Sequence, residues 1–450
     1  MRTPLLTVYN QLVNQIRWCT PSISPRGQLK TIAIYDNDMS ISMHSMGNPL
    51  TDSGVFGKAT KLAAKAYKSD FTLFGVNGSS GANMTVLRAL QSLGKRKILA
   101  SRNQHVSVLN AVDFFNLELT FLPLHYNQEW EMVEPNSAEE VIKEVKSQKP
   151  DVLLLTSPTY EGNVFDLKKI ITKVRKINKN IIIFIDEAWG AHLPFLGEGN
   201  IPCAMDSGAD ICVQSTHKMG GALQQTAMIH WSKKRIPYET MLKAYQECST
   251  TSPSFHLLAD LDANRALMEE SGIELLSNAA YLSGYLKGSI LKMGFDIFLT
   301  PDLFKITVKF KDYPAHRVAE ELEKRNIICE KYGNSTVMFI VGLHNTLEDV
   351  EATSLALKEA LSCIKKQPIV QSSFPDSINS LEHGDKIKSF IWKSAIGQMC
   401  AENVIPYPPG IALLSKGDLI TKKHINYLRE VKKNKTTILM KNLNKIDVFI

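Results

Sequence analysis

Three features of the 450-residue sequence predict an α/β fold with a mostly parallel sheet. Between residues 70 and 214, short apolar runs alternate with longer helical patterns. The runs are apolar throughout, which is typical of strands that are buried on both faces. The intervening patterns carry apolar residues at helical spacing and Lys or Glu on the opposite side. Because strands joined through helices pair in parallel, we expect a sheet that helices cover on both faces.

The elements of this sheet can be placed in order along the chain. We predict strands at Phe71–Val76, Lys97–Ala100, Leu119–Leu124, Asp151–Thr156, Ile181–Asp186 and Ile211–Gln214. We predict helices at Met84–Leu93, Ser137–Lys146 and Leu167–Ile177. Sheets of this kind bind ligands at the carboxyl ends of their strands, so the polar residues that follow the strands are candidates for a site.

The sequence changes character after about residue 271, where a smaller α+β unit is expected. This unit has a half-exposed strand at Ile306–Phe310, a helix at Ala315–Lys324 and further strands at Ile327–Cys329 and Val337–Val341. Ser, Pro and Asn are frequent from residue 367, which indicates a linker. We therefore divide the chain into an N-terminal arm at 1–30, a major domain at 31–270, a small domain at 271–366, a linker at 367–386 and a C-terminal segment at 387–450.

Composition and charge argue against several classes of protein. The 52 basic and 45 acidic residues give a net charge of +7, and the basic residues are dispersed without an aromatic platform, so no nucleic-acid partner is expected. No apolar run approaches the length that spans a membrane, and the N-terminus is a poor signal peptide; we expect a cytoplasmic protein. The seven cysteines lack C-x-x-C or Cys/His ligand spacing, so no metal site is expected.

A run of small polar residues, Asn77–Asn83, follows the first predicted strand and precedes a helix. Free N–H groups, serine hydroxyls and the positive end of the helix dipole make such a junction an anion site. The alternative is a polar turn with a helix cap. The run matches neither the P-loop nor the dinucleotide fingerprint, which argues against ATP or NAD.

Three further residues at strand ends suggest chemistry. Lys218 follows the strand Ile211–Gln214, where burial lowers the pKa of a lysine and provides the neutral amine that forms a Schiff base. Asp186 ends the most apolar strand, where a carboxylate needs a cationic partner such as a pyridinium, a metal or a structural ion pair. His105 follows Lys97–Ala100 and can stack on a flat ring or relay a proton. Taken singly, Lys218 could extend to solvent and His105 could be a surface residue.

Together these groups match the requirements of pyridoxal 5'-phosphate (PLP). Its phosphate needs an anion site, its ring a stacking partner, its ring nitrogen a carboxylate and its aldehyde an amine. The motifs resemble those of the fold-type-I Orn/Lys/Arg decarboxylases in their order and in their residues, particularly those of the short bacterial biosynthetic type. The resemblance covers Thr3–Leu6, Asn77–Gly81, Arg102–His105, Thr156–Tyr160, Asp186–His192, Ser215–Lys218, Thr250–Ser254, Tyr407–Ile411 and Leu419–Thr421.

The resemblance implies an aspartate-aminotransferase-like fold in which residues 31–270 bind PLP. It also implies that Lys218 forms the Schiff base, Asp186 pairs with the pyridine nitrogen and His105 stacks on the ring. The other cofactor-binding residues would be Ser79, Ser80, Gly81, Ala188, Ser215 and His217. Lys218 or His217 would return a proton to the substrate, and Trp189, Thr251 and Glu402 are candidate substrate residues. Glu402 could instead be a solvated surface residue. In this family the site lies at the interface of a homodimer.

One segment departs from the family pattern. An aromatic-His-x-Pro-Gly-His-Lys stretch is usual near the N-terminus, whereas Trp18–Ser24 keeps the proline but lacks both histidines, the glycine and the lysine. Val106 also replaces the lysine that usually follows the stacking histidine. The cofactor site is therefore expected to be intact, while the substrate and the reaction stay open.

The expected reaction is decarboxylation of arginine, lysine or ornithine to the amine and CO2 through an external aldimine and a quinonoid, in polyamine biosynthesis. One alternative is a PLP-dependent biosynthetic enzyme that oxidises, transaminates or eliminates from arginine or a related amino acid. Another is a non-catalytic homologue with a regulatory role. Arginine, lysine and ornithine all carry a distal cation, so the sequence does not choose among them.

Overall fold

The computed structural model describes residues 43–197, 200–343, 345–369, 386–407, 411–433 and 436–450, with residues 3–5, 7, 39, 41, 374 and 375. Most of the predicted arm and linker, the Trp18–Ser24 segment and residues 408–410 lie outside the described residues.

A seven-stranded sheet forms the centre of the molecule, in the order β1–β9–β8–β7–β6–β2–β3. All its strands run in one direction except β9, which is antiparallel to both neighbours. The strands up to β9 are β1 Phe71–Gly75, β2 Lys97–Ala100, β3 Glu118–Phe121, β4 His125–Asn127, β5 Met132–Glu134, β6 Val152–Thr156, β7 Ile182–Asp186, β8 Ile211–Gln214 and β9 Ala227–Trp231. The six predicted strands are confirmed within a few residues, and β4 and β5 form a separate hairpin.

Helices cover both faces of this sheet, as predicted. The helices up to residue 292 are α1 Gly54–Ala66, α2 Gly78–Ser92, α3 Val106–Phe114, α4 Ala138–Gln148, α5 Leu167–Ile177, α6 Thr216–Met219, α7 Tyr238–Cys248 and α8 Phe255–Lys292. Apolar residues of α2, α3 and α7 pack on one face, where Phe184 lies, and those of α4 and α5 pack on the other, where Ile183 and Ile185 lie. This alternation explains why the strands are apolar throughout.

Two sequence predictions about these elements need correction. The helix expected at Met84–Leu93 begins at Gly78, because the Gly and Ser residues of Asn77–Gly81 form its first turn despite their low helix propensity. Strand β9 has no counterpart among the predictions, because His230 interrupts its apolar run. Its imidazole is nevertheless buried, stacked on Tyr67 and hydrogen-bonded to Thr72 and Gln214.

The small unit contains an antiparallel sheet in the order β10–β11–β13–β12. Its elements are β10 Asp296–Phe298, β11 Lys305–Lys309, α9 Ala315–Glu323, β12 Lys331–Tyr332, β13 Thr336–Ile340 and α10 Leu347–Cys363. The predicted strand at Ile327–Cys329 is wrong, since Ile327 and Cys329 pack against the core without pairing of their backbone and Ile328 is 74% exposed. The expected half-exposed strand is buried on both faces, because Lys305 and Thr307 face protein rather than water. The division at residue 270 stays a prediction, and α8 passes through it without a break.

The C-terminal segment consists of β14 Ile387–Ile391, β15 Met399–Cys400, β16 Ile405–Tyr407, α11 Lys422–Lys433, β17 Thr437–Leu439 and β18 Lys445–Phe449. A buried ion pair joins it to the major domain, with 2.6 Å between Arg102 Nη2 and Asp418 Oδ2. An isolated bridge pairs His105 with Ile411, so this segment reaches the end of β2. Among the described residues, no helix is both long and apolar enough to cross a membrane.

Replacing Phe184 by Ala tests whether the centre of the sheet carries the stability of the fold. Phe184 is fully buried in β7, and truncating a buried Phe costs about 3–5 kcal/mol. We expect the midpoint of thermal unfolding, followed by circular dichroism, to fall by more than about 5 °C. Leu299→Ala is the control, because Leu299 is 84% exposed and its truncation should change the midpoint by about 1 °C or less. Equal shifts of the unfolding midpoint in the two variants would contradict the assignment of Phe184 to the core that stabilises the fold.

Candidate active site

The carboxyl ends of the parallel strands bring the candidate residues to one edge of the central sheet. Asp186 ends β7, while Ser215 and Lys218 follow β8. His105 follows β2 as the N-cap of α3, and α2 begins directly after β1. Since these strands run in one direction, their carboxyl ends meet at the same edge, as the sequence predicts.

Asp186 is a buried carboxylate that is held by two donors. Asp186 is only 1% exposed to solvent. The Ala188 backbone N–H donates to Oδ1 at 3.1 Å, and the Asn83 side-chain amide donates to Oδ2 at 3.0 Å. A carboxylate has about four acceptor positions, so Asp186 can accept a further N–H. This is the capacity needed to bind a protonated ring nitrogen.

His105 lies close enough to Asp186 and Lys218 for their charges to affect it. Burial lowers its pKa; the Asp186 carboxylate opposes this effect and the Lys218 ammonium adds to it. Its Nδ1 accepts the Ser107 backbone N–H at 3.2 Å and lies 2.9 Å from the Ser107 Oγ. The ring is therefore favoured in its neutral form, with Nδ1 as an acceptor and the proton on Nε2.

Lys218 lies in the single turn of α6, with its Nζ 4.0 Å from the centre of the Trp189 ring. Burial lowers its pKa to about 8; the Asp186 carboxylate opposes this shift and the Lys305 ammonium adds to it. Desolvation therefore outweighs the attraction between the charges. An amine with this pKa is partly neutral near physiological pH, which is what attack on a carbonyl requires.

The anion site is predicted at the start of α2, and the residues after β8 lie against this position. Ser215 Oγ donates to Ser79 Oγ at 2.8 Å, which joins the two segments. Gly81 is required locally, because a Cβ there would lie 2.9 Å from the Asn77 Cβ. Ser80 is exposed beside this junction. Hydroxyls and a helix N-terminus in this arrangement suit a phosphate.

His217 has a fixed orientation beside this anion site. Its Nδ1 lies 2.8 Å from the Thr226 carbonyl oxygen, and because a carbonyl only accepts, Nδ1 donates. Burial lowers its pKa, so the neutral ring carries its lone pair on Nε2.

The three candidate substrate residues have different surroundings. Trp189 contacts two lysines, since the Nζ atoms of Lys218 and Lys305 are 4.0 and 4.6 Å from the ring centre. Thr251 is exposed in the turn between α7 and α8. Glu402 accepts the backbone N–H groups of Lys441 and Asp447 at 2.9 and 2.8 Å, so its carboxylate holds the C-terminal segment together.

Sequence reasoning missed two buried residues of this region, Asn83 and Lys305. Asn83 is fully buried and contacts Asp186. Lys305 is fully buried, and its Nζ donates to the Thr159 carbonyl at 3.1 Å and lies 3.7 Å from Asp302 Oδ2. Burial lowers its pKa despite the neighbouring Asp302 carboxylate. A polar residue on an apolar helix face could have indicated Asn83, whereas nothing local distinguishes Lys305 from a surface lysine.

The residues at this edge fit PLP. Asp186 has acceptor capacity for its ring nitrogen, Lys218 supplies an amine of lowered pKa, and Ser79 and Ser215 lie at a helix N-terminus that suits its phosphate. His105 offers a neutral imidazole within electrostatic reach of the first two groups.

Comparisons with known proteins agree with this chemistry. Residues 31–290 match the family model described as Orn/Lys/Arg decarboxylase, major domain. The chain is 28% identical to the arginine decarboxylase of Halalkalibacterium halodurans, over 88% of this chain and 86% of that protein. It is also 28% identical to the arginine decarboxylase of Bacillus subtilis, over 88% and 85% of the two chains.

A solved structure confirms the predicted aspartate-aminotransferase-like fold. The Francisella novicida lysine decarboxylase LdcF superposes with a TM-score of 0.84 at 20% identity, over 100% of this chain and 81% of that chain. With the family model matching more than half of the sequence, the chain belongs to the Orn/Lys/Arg decarboxylases and is a PLP-dependent amino-acid decarboxylase.

Proposed function

We propose that this protein decarboxylates arginine, with lysine and ornithine as the other candidate substrates, and releases the amine and CO2. The observation that carries the reaction is the Lys218 amine, whose pKa desolvation lowers, within electrostatic reach of the buried Asp186 carboxylate. The choice of arginine is supported by relatives of similar length that are named arginine decarboxylases. Each is only 28% identical, so the substrate is a proposal.

The roles of the residues follow from their charge and burial. When bound, PLP supplies a sink for the electron pair left at Cα as CO2 departs. Asp186 would hold a proton at the ring nitrogen, because its two bound donors leave acceptor capacity. Lys218, with a pKa of about 8, would hold a proton at Nζ and return it to Cα, and His217 is the alternative donor. His105 would stack on the ring.

The remaining cofactor residues would orient PLP. We assign the phosphate to the helix N-terminus at Gly81, to the hydroxyls of Ser79, Ser80 and Ser215 and to the imidazole of His217. Ala188 would line the ring. Trp189 would line the substrate side, because it contacts the Lys218 amine.

We assign the distal cation of the substrate to Glu330 rather than Glu402. Glu330 is exposed directly before β12, and the Tyr160 hydroxyl donates to its Oε1 at 2.6 Å. The Tyr160 ring packs against Trp189, with 4.7 Å between the ring centres. The Glu330 carboxylate also favours the charged form of Lys218, which places its field at the reacting amine.

We further propose that the protein forms a homodimer with the site at its interface and acts in polyamine biosynthesis in the cytoplasm. Phe114 supports the dimer, because this aromatic side chain is 77% exposed and lines a cavity of about 530 Å³. Ser80 and Gly81 line the same cavity, so a second subunit there would approach the proposed phosphate site. Thr251 would then serve the neighbouring subunit. The domain division at residues 270 and 366 is retained as part of this proposal.

The products test the reaction directly. Incubating the holoenzyme with arginine, lysine or ornithine should give an amine and CO2 without oxygen consumption, and most rapidly agmatine from arginine. Mass spectrometry identifies the products, and Lys218→Ala should lose both the activity and the visible absorbance of the cofactor. α-Keto products, or a fully active Lys218→Ala protein, would overturn the proposed reaction.

The lowered pKa of Lys218 predicts how cofactor binding by the apoenzyme depends on pH. Only the neutral amine attacks an aldehyde, so the rate should rise with pH and level off above about 8. Stopped-flow absorbance measures this rate, and N-acetyl-lysine with PLP is the reference for an amine near its ordinary pKa of 10.5. A protein rate that rises up to about pH 10 in parallel with the reference would show that Lys218 is not desolvated.

A pair of glutamate variants tests the anchor for the distal cation. Glu330→Gln removes the charge but keeps the acceptor for Tyr160, so KM for arginine should rise about tenfold while kcat changes little. Glu402→Gln is the matched control and should change KM by less than about twofold. Steady-state kinetics at one pH distinguishes the two, and the reverse pattern would return the role to Glu402.

A further inference from the structure

Asn83 connects the two groups proposed to contact opposite parts of the cofactor ring. It lies in the second turn of α2 and is fully buried. Its side-chain Nδ2 donates to Asp186 Oδ2 at 3.0 Å and to Ser107 Oγ at 3.2 Å. A side-chain amide has two N–H groups, so both are used in these contacts.

The direction of the hydrogen bonds continues this connection to His105. Because Ser107 Oγ accepts from Asn83, its own proton is available for the His105 Nδ1, which lies 2.9 Å away. The Ser107 backbone N–H also points to this Nδ1, at 3.2 Å. Both donors make Nδ1 an acceptor, so the imidazole proton is on Nε2.

The side-chain oxygen of Asn83 indicates that this residue does more than fill the core. Its Oδ1 is buried and has no hydrogen-bond partner among the residues that the structure describes. Burying an unpartnered carbonyl costs free energy, which an apolar side chain at this position would avoid. The neighbours Ala82, Val86 and Leu87 show that apolar side chains suit this part of α2. The donors of Asn83 are therefore what the site uses.

We propose that Asn83 is a positioning residue that orients the Asp186 carboxylate and, through Ser107, fixes the Nε2–H tautomer of His105. One amide thus prepares both the carboxylate for the ring nitrogen and the imidazole for the ring face. The inference rests on the roles proposed above for Asp186 and His105. The inference requires that the protein binds PLP, and it does not depend on which amino acid is decarboxylated.

Three variants test the contact of Asn83 with Asp186 separately from its link through Ser107 to His105. Asn83→Ala removes both donors, Asn83→Asp replaces them by a second carboxylate beside Asp186, and Ser107→Ala cuts only the link to His105. Apoenzyme titrated with PLP gives the cofactor dissociation constant. Histidine side-chain ¹⁵N spectra of the apoenzyme give the tautomer, with His105 identified by its missing signals in His105→Gln. Thermal unfolding midpoints are measured alongside.

We expect Asn83→Ala to weaken PLP binding by about tenfold or more, because a hydrogen bond to a charged acceptor is lost. Asn83→Asp should weaken it further through like-charge repulsion. Ser107→Ala should leave the dissociation constant within about twofold. It should reduce the fraction of the Nε2–H tautomer without abolishing it, because the backbone N–H of residue 107 still donates to Nδ1. In turnover, Asn83→Ala should lower kcat more than it changes KM.

Two results would overturn the proposal. One is an Asn83→Ala protein with wild-type PLP affinity and an unchanged His105 tautomer, whatever its thermal midpoint, because it would show that Asn83 only fills the core. The other is a Ser107→Ala protein with an unchanged tautomer, and this variant retains the helix cap from the backbone N–H and should fold. Failure of the proposed reaction would appear separately, as altered products from the wild-type holoenzyme.

Discussion

The burial of the Asp186 carboxylate is the constraint on which the site depends. It ends the central strand β7, between β6 and β8, where water cannot reach it. A charge in this position needs donors, and the structure supplies the Ala188 N–H and the Asn83 amide. The helix that carries Asn83 also begins at the proposed anion site, so the position of α2 on the sheet affects both regions proposed to bind the cofactor. The packing of the sheet and the chemistry of the site therefore depend on the same residues.

Burial also acts on the lysines of the site. It disfavours their charged form, and for Lys218 and Lys305 it outweighs the attraction of nearby carboxylates. Both Nζ atoms lie against Trp189, where the ring face offers them partial compensation. Lys305 comes from β11 of the small unit and also bonds to the Thr159 carbonyl. The small unit thus affects the charge state of Lys218, which belongs to the large unit.

Local sequence patterns predicted the elements whose burial follows one simple pattern. Strands buried on both faces are apolar throughout, so the six parallel strands could be placed from the sequence to within a few residues. Strand β9 could not, because His230 is buried by stacking on Tyr67 and by bonds to Thr72 and Gln214, which come from distant parts of the chain. The strand predicted at Ile327–Cys329 was wrong for the converse reason, since the Ile327 and Cys329 side chains pack against the core while their backbone forms no strand.

The sequence by itself determined the cofactor chemistry, because the amine, carboxylate, imidazole and hydroxyls each follow a strand, and parallel strands bring their carboxyl ends together. Only the tertiary structure decided which groups surround them. Asn83, Lys305 and Glu330 reach the site from a helix and from the small unit, and Glu402 is held by backbone amides instead. Such contacts join residues far apart in the chain, and no local periodicity or spacing encodes them.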